Sequence, residues 1–435
     1  MLTALRQRMA GTYPGWWVVA SSIAIQTLHI AIFAQGYGVY VPALQAEFNW
    51  SATLLAAGFA LVNAVTGVLS PVQGLLLTRF GPRNILRLGL IVLAVSFIAF
   101  SQITTVTQFF AVFTLLAVGH SLGGFLTLTT AVVNWFEERR SFALSLMQLG
   151  VTLGGFALPL VAWSLAEFGW RPTAFASGVV ILLLGLPLAQ LVRNNPEELG
   201  LLPDGAEPAG APAGHGGDES DGDKVTPLGA REFLTREALK TRAFWYLAFG
   251  HALALAVVAA VNVHAVIHLN QGLGYTLPAA AGFMALMTGC TVAGQLVGGY
   301  FGDRYPKRLL AMGAMWAHAL GLLALAYATL PLLVVLFAVG HGFAWGLRGP
   351  LMQAIRADYF GRRRFATIMG YSLLIAMVGT IAGPLVAGYL ADLFGDFRFG
   401  FTVLAASAAF GSVLFLLARP PEPRGSLPRR RRRVA

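Results

Sequence analysis

Charged residues are scarce in this sequence of 435 residues. Asp, Glu, Lys and Arg together make up 11% of it, whereas hydrophobic residues make up 57%. A soluble domain has about a quarter of its residues charged, which keeps its surface in water. The composition therefore excludes a soluble globular protein and predicts a protein that lies mostly within a lipid bilayer.

Cysteine is almost absent as well. The single cysteine, Cys290, lies in an apolar stretch, so the chain can form no internal disulfide and no multi-cysteine metal site. His264 and His268 have the i, i+4 spacing of zinc ligands, but no acid or third ligand accompanies them on that segment. No catalytic or cofactor motif is recognisable, so we predict no enzyme, no metal and no cofactor.

Long hydrophobic runs, in contrast, recur through the whole chain. A helix needs about 20 mostly apolar residues to cross the hydrocarbon core, and the runs predict an all-α membrane protein with twelve transmembrane helices. They lie near residues 16–41, 52–77, 84–100, 108–133, 142–164 and 172–192, and near 244–268, 278–301, 309–329, 332–356, 366–391 and 399–418.

Basic residues are distributed unevenly between the predicted loops. All but three of the 30 Lys and Arg residues fall on one side, while Arg171 and Arg398 fall on the other and Arg348 lies within a helix. Positively charged loops stay in the cytoplasm. We therefore predict a multi-pass protein of the cell inner (plasma) membrane with both termini cytoplasmic. The run from Arg429 to Arg433 then faces anionic lipids, and we expect no nucleic-acid partner.

The two halves of the chain repeat each other. The segment that begins at Pro159 recurs from Pro384, and Gly119-His120 recurs as Gly340-His341. Such a repeat predicts two pseudo-symmetric bundles around a central site that opens to alternate sides of the membrane. The predicted organisation is a six-helix bundle over 1–193, a cytoplasmic linker over 194–241, a second six-helix bundle over 242–419 and a basic cytoplasmic tail over 420–435.

A further repeated segment contains a glycine, an aspartate or its substitute, and then basic residues, in a loop on the basic side. This pattern resembles the cytoplasmic loop motif of the major facilitator superfamily, which implies that the residues act in its conformational change. We expect the aspartate to lie at a helix terminus and to pair with the neighbouring arginine. The residues are Gly299, Asp303, Arg304 and Arg308 in the second half, and Gly74, Arg79 and Arg83 in the first, where Thr78 replaces the aspartate.

Other segments narrow the resemblance within that superfamily. Gly15-Trp16-Trp17 opens the first helix, and Asn195-Pro196-Glu197-Glu198 follows the sixth. Together they resemble the branch of prokaryotic monocarboxylate porters and oxalate:formate antiporters, over all of the chain except the linker and the tail. The resemblance implies the major facilitator fold and a transporter of a small mono- or dicarboxylate, working as a symporter, an antiporter or a facilitator.

Arg348 is the only charged residue well inside an apolar run. It lies eight residues before Arg356, which with Asp358 marks the end of that helix, and therefore about 12 Å deeper, near the midplane of the membrane. No Asp or Glu lies at a similar depth. A guanidinium matches a carboxylate in bidentate fashion, so we predict that Arg348 binds an anionic substrate. The alternative is a gating or packing residue bonded to carbonyls of a broken helix near Gly346, Gly349 and Pro350.

Polar and aromatic residues at helical spacing are predicted to line the same central cavity. Each histidine among them is either a hydrogen-bonding residue between helices or a carrier of protons. The residues are His341 on the helix of Arg348, His120, Thr127 and Asn134 on the fourth helix, and Gln26, His29, Phe33, Tyr37 and Tyr40 on the first.

Expected charges of this branch are missing from the eighth and eleventh helices, and Gln35 stands where mammalian relatives have a lysine. Facilitated diffusion, exchange with a counter-anion and proton coupling through histidine therefore remain as alternatives. Two other functions make different predictions about the sequence. An exporter of apolar or cationic drug-like compounds predicts a membrane-embedded acid, which the sequence lacks. A transporter-like membrane sensor predicts a signalling domain, for which the linker and tail are too short and too polar.

Overall fold

The computed structural model describes residues 13–206 and 232–421, and within these ranges the chain is helical without any β-strand. Eleven helices are long and apolar enough to cross a membrane. One of them, Ala52–Phe100, has 49 residues, about 73 Å at the rise of an α-helix and far more than one crossing needs. Gly81 interrupts it with φ 76° and ψ 156°, a conformation that glycine adopts without strain. It therefore makes two crossings, and the twelve predicted helices are confirmed.

The twelve spanning helices are numbered α1 to α12 in chain order, and each overlaps the run predicted for it. The first bundle consists of α1 (Gly15–Phe48), α2 (52–80), α3 (82–100), α4 (Val106–Trp135), α5 (Arg140–Phe168) and α6 (Trp170–Leu191). The second consists of α7 (Arg242–Gly272), α8 (Leu277–Gly302), α9 (Lys307–Ala326), α10 (Pro331–Phe360), α11 (Phe365–Phe394) and α12 (Arg398–Leu417).

Two helices of the first bundle are irregular beside polar residues. In α1 a π-helical turn, Ile30–Ala34, directly follows His29. In α4 the helix is broken at Gly124, with φ −103° and ψ −146°, just after His120. Such irregular turns change the direction in which neighbouring side chains point. Both helices therefore depart from regular spacing near the histidines that the sequence singled out.

The two bundles have separate hydrophobic cores and equivalent helix contacts. One core is centred on α1 to α6 and the other on α7 to α12. A Cβ added to Gly150 of α5 would lie 2.6 Å from a backbone oxygen of α1, and one added to Gly379 of α11 would lie 2.0 Å from a backbone oxygen of α7. The pairs α1–α5 and α7–α11 thus pack at van der Waals distance in the same way, as the internal repeat predicts.

The bundles meet through α2 with α11 and through α5 with α8. We call the end of the molecule that carries the arginine-rich loops the basic end. A Cβ added to Gly74 would lie 2.4 Å from the carbonyl oxygen of Ala366, and one added to Gly299 would lie 2.2 Å from Oγ of Ser145. Glycine is therefore required at both repeated positions for the bundles to close there.

Every hydrogen bond between the bundles within 13–206 and 232–421 lies between the basic end and the middle of the helices. The bond nearest the middle joins Ser70 Oγ to the carbonyl oxygen of Gly370 at 2.9 Å, and Gln148 Nε2 donates to Gln353 Oε1 at 3.3 Å. The opposite end has no hydrogen bond or ion pair between bundles among these residues. The molecule is sealed at its basic end.

Candidate functional site

A cavity of about 210 Å³ lies between the bundles, on the side of the seal that faces away from the basic end. It has room for about seven waters at their volume in the liquid, and so for a small solute. Its walls combine hydroxyl, amide and imidazole groups with apolar side chains. The lining residues are Asn63, Thr66, Gly67, Ser70, Gln73, His120, Ser121, Phe125 and Leu126 of the first bundle, and Leu255, Leu373, Ala376, Met377, Thr380 and Ile381 of the second.

Gln73 organises the wall of the cavity on the side of the first bundle. Its Nε2 donates to the carbonyl oxygen of Ser121 at 2.5 Å and to Thr127 Oγ1 at 3.1 Å, and its Oε1 accepts from Ser121 Oγ at 3.0 Å. Thr127, predicted to line the cavity, instead lies behind it and helps to hold Gln73. Gln73 is not among the residues predicted from the sequence, although its amide within the apolar run of α2 was the available signal.

His29 and His120 form a hydrogen-bonded pair between α1 and α4. His120 Nδ1 and His29 Nε2 are 3.0 Å apart. Only His120 borders the cavity, because His29 lies behind it with 2% of its surface exposed. Gln26 lies one turn before His29 and is 5% exposed, and its Oε1 has no partner in the described ranges.

The remaining residues predicted on α1 and α4 pack inside the first bundle. Tyr37 donates its hydroxyl to the carbonyl oxygen of Leu55 at 2.8 Å, and Tyr40 lies 3.4 Å from Ser177 Oγ. Neither tyrosine borders the cavity in this conformation. Asn134 donates to a backbone carbonyl of the segment after α6, so its predicted place on the cavity wall is not observed either.

Arg348 is buried on α10 with 1% of its surface exposed. Its Nε and Nη1 have no hydrogen-bond partner in the described ranges, and it forms no ion pair there. It does not border the cavity of about 210 Å³. The next residue, Gly349, packs against Gln148 of the first bundle, which places this turn of α10 at the boundary between the bundles.

A second buried arginine escaped the sequence analysis. Arg356, expected at the end of α10, is 1% exposed because α10 continues to Phe360. Its guanidinium donates to the carbonyl oxygens of Met352 at 2.5 Å and Leu247 at 3.0 Å, and to Ser372 Oγ at 2.7 Å. Protein acceptors thus bind both Nη atoms of Arg356 and leave only its Nε without a partner in the described ranges, whereas Arg348 lacks partners at both Nε and Nη1.

Three histidines of the second bundle lie near Arg348. His341 Nδ1 is 3.1 Å from Nδ1 of His318 on α9, and both residues have no exposed surface. The charge of Arg348 acts on this pair and on His251 of α7. We call these residues, His251, His318, His341, Arg348 and Arg356, the cationic cluster, after the two guanidinium groups that carry its charge. No described acidic residue forms an ion pair with any member, so the cluster favours an anion.

The histidines that suggested a zinc site do not converge. His264 Nε2 lies 2.9 Å from the carbonyl oxygen of Pro384, and His268 Nε2 lies 3.1 Å from that of Leu325. Each imidazole therefore ties α7 to a different neighbouring helix.

Asp303 joins the two bundles at the basic end. Its carboxylate accepts from the backbone N–H groups of Ser141 at 2.7 Å and Phe142 at 3.0 Å, at the start of α5, where the helix dipole favours negative charge. Burial raises the pKa of Asp303, and these N–H groups and Lys307 partly offset the rise. We call this contact the Asp303 latch.

The expected pairing of Asp303 with the neighbouring arginine was wrong. Arg304 donates instead to the carbonyl oxygen of Tyr300 at 2.8 Å, with its guanidinium carbon 3.6 Å from the centre of that ring. The free N–H groups at the start of α5 hold the carboxylate instead, because they lie directly opposite it. Arg308 donates to the carbonyl oxygen of Leu416 at 3.0 Å, which fixes α9 to α12.

The first half has an uncharged counterpart of this latch at the equivalent position, Thr78. Thr78 Oγ1 lies 2.9 Å from Thr367 Oγ1 of α11, a contact between neutral groups. Arg83 donates to the carbonyl oxygen of Gln190 at 3.1 Å, and Arg79 lies over Phe80. Neither arginine bonds to the second bundle within the described ranges.

An ion-pair network also crosses the basic end. Arg140 of α5 bonds to Asp358 of α10, which Lys307 approaches to 2.7 Å.

We expect Asp358→Arg to reduce substrate uptake, because the new guanidinium faces Arg140 with a like charge. Adding Arg140→Asp to this variant should restore most of the lost uptake. Substrate uptake by the single and double variants measures this. A double variant no better than the single one would contradict a direct pairing.

A family model described as Major Facilitator Superfamily matches residues 23–292 and 283–435 of the chain. The chain belongs to the major facilitator superfamily. The fold agrees, since the fucose transporter FucP of E. coli in its outward conformation superposes with a TM-score of 0.70 at 16% identity, covering 93% of this chain and 99% of that one. A human organic anion transporter superposes with a TM-score of 0.68 at 17% identity, over 93% and 100%.

This chain is also similar in sequence to proteins that are named as carriers of carboxylates. It is 27% identical to monocarboxylate transporter 13 of Rattus norvegicus, over 92% of this chain and 89% of that protein. It is 26% identical to the benzoate transport protein of Acinetobacter baylyi, over 89% and 87%. These relatives confirm the resemblance that the sequence motifs indicated. This protein is a multi-pass membrane protein, and its family and relatives are transporters of small molecules.

Proposed function

We propose that this protein carries a small organic anion, a mono- or dicarboxylate, across the cell inner membrane by alternating access, without chemical change to the anion. The substrates in the names of the relatives are those of proteins that are 26–27% identical to this chain. The support from this chain itself is Arg348, buried to 1% with Nε and Nη1 unpartnered in the described ranges.

An uncompensated buried cation is unfavourable, and it persists where a ligand or water completes its bonds. A carboxylate offers two oxygens to the planar guanidinium. The neighbouring members of the cationic cluster supply further N–H groups and no competing acid. An anion that reaches Arg348 between the bundles would therefore satisfy groups that the protein leaves without partners.

The arginine-rich loops support a cytoplasmic basic end. With that orientation, the Asp303 latch and the ion-pair network close the cytoplasmic side, and the cavity that His120 lines is reached from outside. The structure then represents an outward-facing state. Opening the latch while the opposite ends of the bundles close would give the inward-facing state.

The test is transport by the full chain in liposomes. We expect saturable uptake of at least one acid among labelled lactate, pyruvate, benzoate, formate and oxalate, measured against protein-free liposomes because some protonated acids cross lipid unaided. Ethidium serves as the cationic comparison. Flux of ethidium without flux of any acid would favour the drug exporter, and absence of all flux would favour the sensor. Either result contradicts the proposed function.

A further inference from the structure

The histidines His29 and His120 are placed to hold a proton beside the cavity. Nδ1 of His120 and Nε2 of His29 are 3.0 Å apart, and His120 borders the cavity while His29 lies behind it. We propose that this pair, called the histidine pair, binds one proton that crosses the membrane together with the anion. The inference rests on the proposed function, because it names the coupling ion of that transport.

The hydrogen bond limits the histidine pair to a single added proton. A neutral imidazole has one N–H and one bare nitrogen, so the contact contains one hydrogen shared between His120 Nδ1 and His29 Nε2. When a proton from the cavity makes His120 positive, its Nδ1–H donates to the neutral His29. A second proton would bring two positive rings into contact, which repulsion at low dielectric opposes.

The surroundings of the histidine pair hold no charged side chain in the described ranges. They are neutral on every helix packed against it and across the cavity. The groups are Gln26 and Phe33 on α1, Gln73 on α2, Phe97 on α3, Ser121 on α4, Gly150 and Gly154 on α5, Leu255 on α7, and Met377 and Thr380 on α11.

The absence of a nearby acid couples the proton to the anion. A positive His120 has no counter-charge among these groups, and an isolated buried cation is strongly unfavourable. A carboxylate in the cavity supplies the missing charge, so proton and anion each raise the affinity for the other. With a monocarboxylate, one negative charge and one proton enter together, so the loaded and the empty carrier have the same net charge.

The experiment uses the full chain in liposomes that contain a pH-sensitive dye, with an acid that the wild type carries. Initial uptake is compared with and without an interior more alkaline by about one pH unit, and proton entry is divided by anion entry. For the wild type we expect a several-fold stimulation and one proton per anion. In His120→Asn, whatever uptake persists should not respond to the gradient, and proton entry should be lost.

Two further variants separate titration from folding. In His29→Gln the amide oxygen is a weaker acceptor for a charged donor, so we expect stimulation between that of the wild type and that of His120→Asn. The control is His264→Gln, since His264 donates to the carbonyl oxygen of Pro384 and lies against the ring of Phe397, away from the histidine pair, and an amide can still donate there. It should keep the stimulation and the stoichiometry of the wild type.

Exchange of labelled for unlabelled acid at equal pH distinguishes the two proposals. If the wild type exchanges no acid, the proposed function fails and the coupling fails with it. If the wild type exchanges acid but does not respond to the gradient, the inference alone is overturned. Proton entry that persists in His120→Asn would also overturn it.

Discussion

Arg348→Gln is expected to reduce uptake of the carried acid by about 100-fold. Removing one partner of a buried, hydrogen-bonded charge pair costs about 2–5 kcal/mol, and each 1.4 kcal/mol is about a factor of ten. Arg348 is the buried cation whose Nε and Nη1 find no protein partner in the described ranges. The measurement is the initial rate of saturable uptake in liposomes. A rate close to that of the wild type would remove Arg348 from the binding site.

Folding provides a second readout that separates binding from structure. Arg348→Gln removes a charge that the protein does not compensate, so its Tm should be unchanged or higher than that of the wild type. Arg356→Gln is the matched control on the same helix, because it deprives Leu247, Met352 and Ser372 of their donor. That variant should lower the Tm. Arg348→Lys keeps the charge but not the planar fork, and its uptake should be intermediate.

Asp303→Ala is expected to open the basic end. The substitution removes two charge-assisted hydrogen bonds to the start of α5, each worth about 1.5–3 kcal/mol. The population of molecules open at the basic end should then rise by at least about tenfold. A cysteine introduced at Gln353, which is 3% exposed in the sealed state, reports this through its rate of alkylation. Replacing Cys290, the single native cysteine, with Ser removes alkylation of the native thiol from the measurement.

Thr78→Val is the matched control for the Asp303 latch. It removes a hydrogen bond between neutral hydroxyls at the equivalent position of the first half, worth about 0.5–1.5 kcal/mol. Its effect on alkylation should be several-fold smaller. Equal rates for Asp303→Ala and the parent would show that the latch does not hold the seal, and equal effects of both variants would contradict the asymmetry between the halves.

Much of the architecture follows from the sequence alone. Long apolar runs must be helical in lipid, because each backbone N–H and carbonyl needs a partner within its own segment. The number of crossings, the two six-helix bundles and the burial of Arg348 follow from that rule and from the internal repeat. The repeat also located Gly74 and Gly299, since equivalent positions in two similar halves meet the opposite bundle in the same way.

Partners across helices were decided by the tertiary structure. The sequence placed His29 and His120 on suitable faces, but only the packing of α1 beside α4 brought them to hydrogen-bonding distance. The carboxylate of Asp303 accepts hydrogen bonds from the backbone of α5 rather than from the adjacent arginine. Periodicity describes one helix at a time, whereas a side chain buried between helices bonds to whichever group the packing places opposite it.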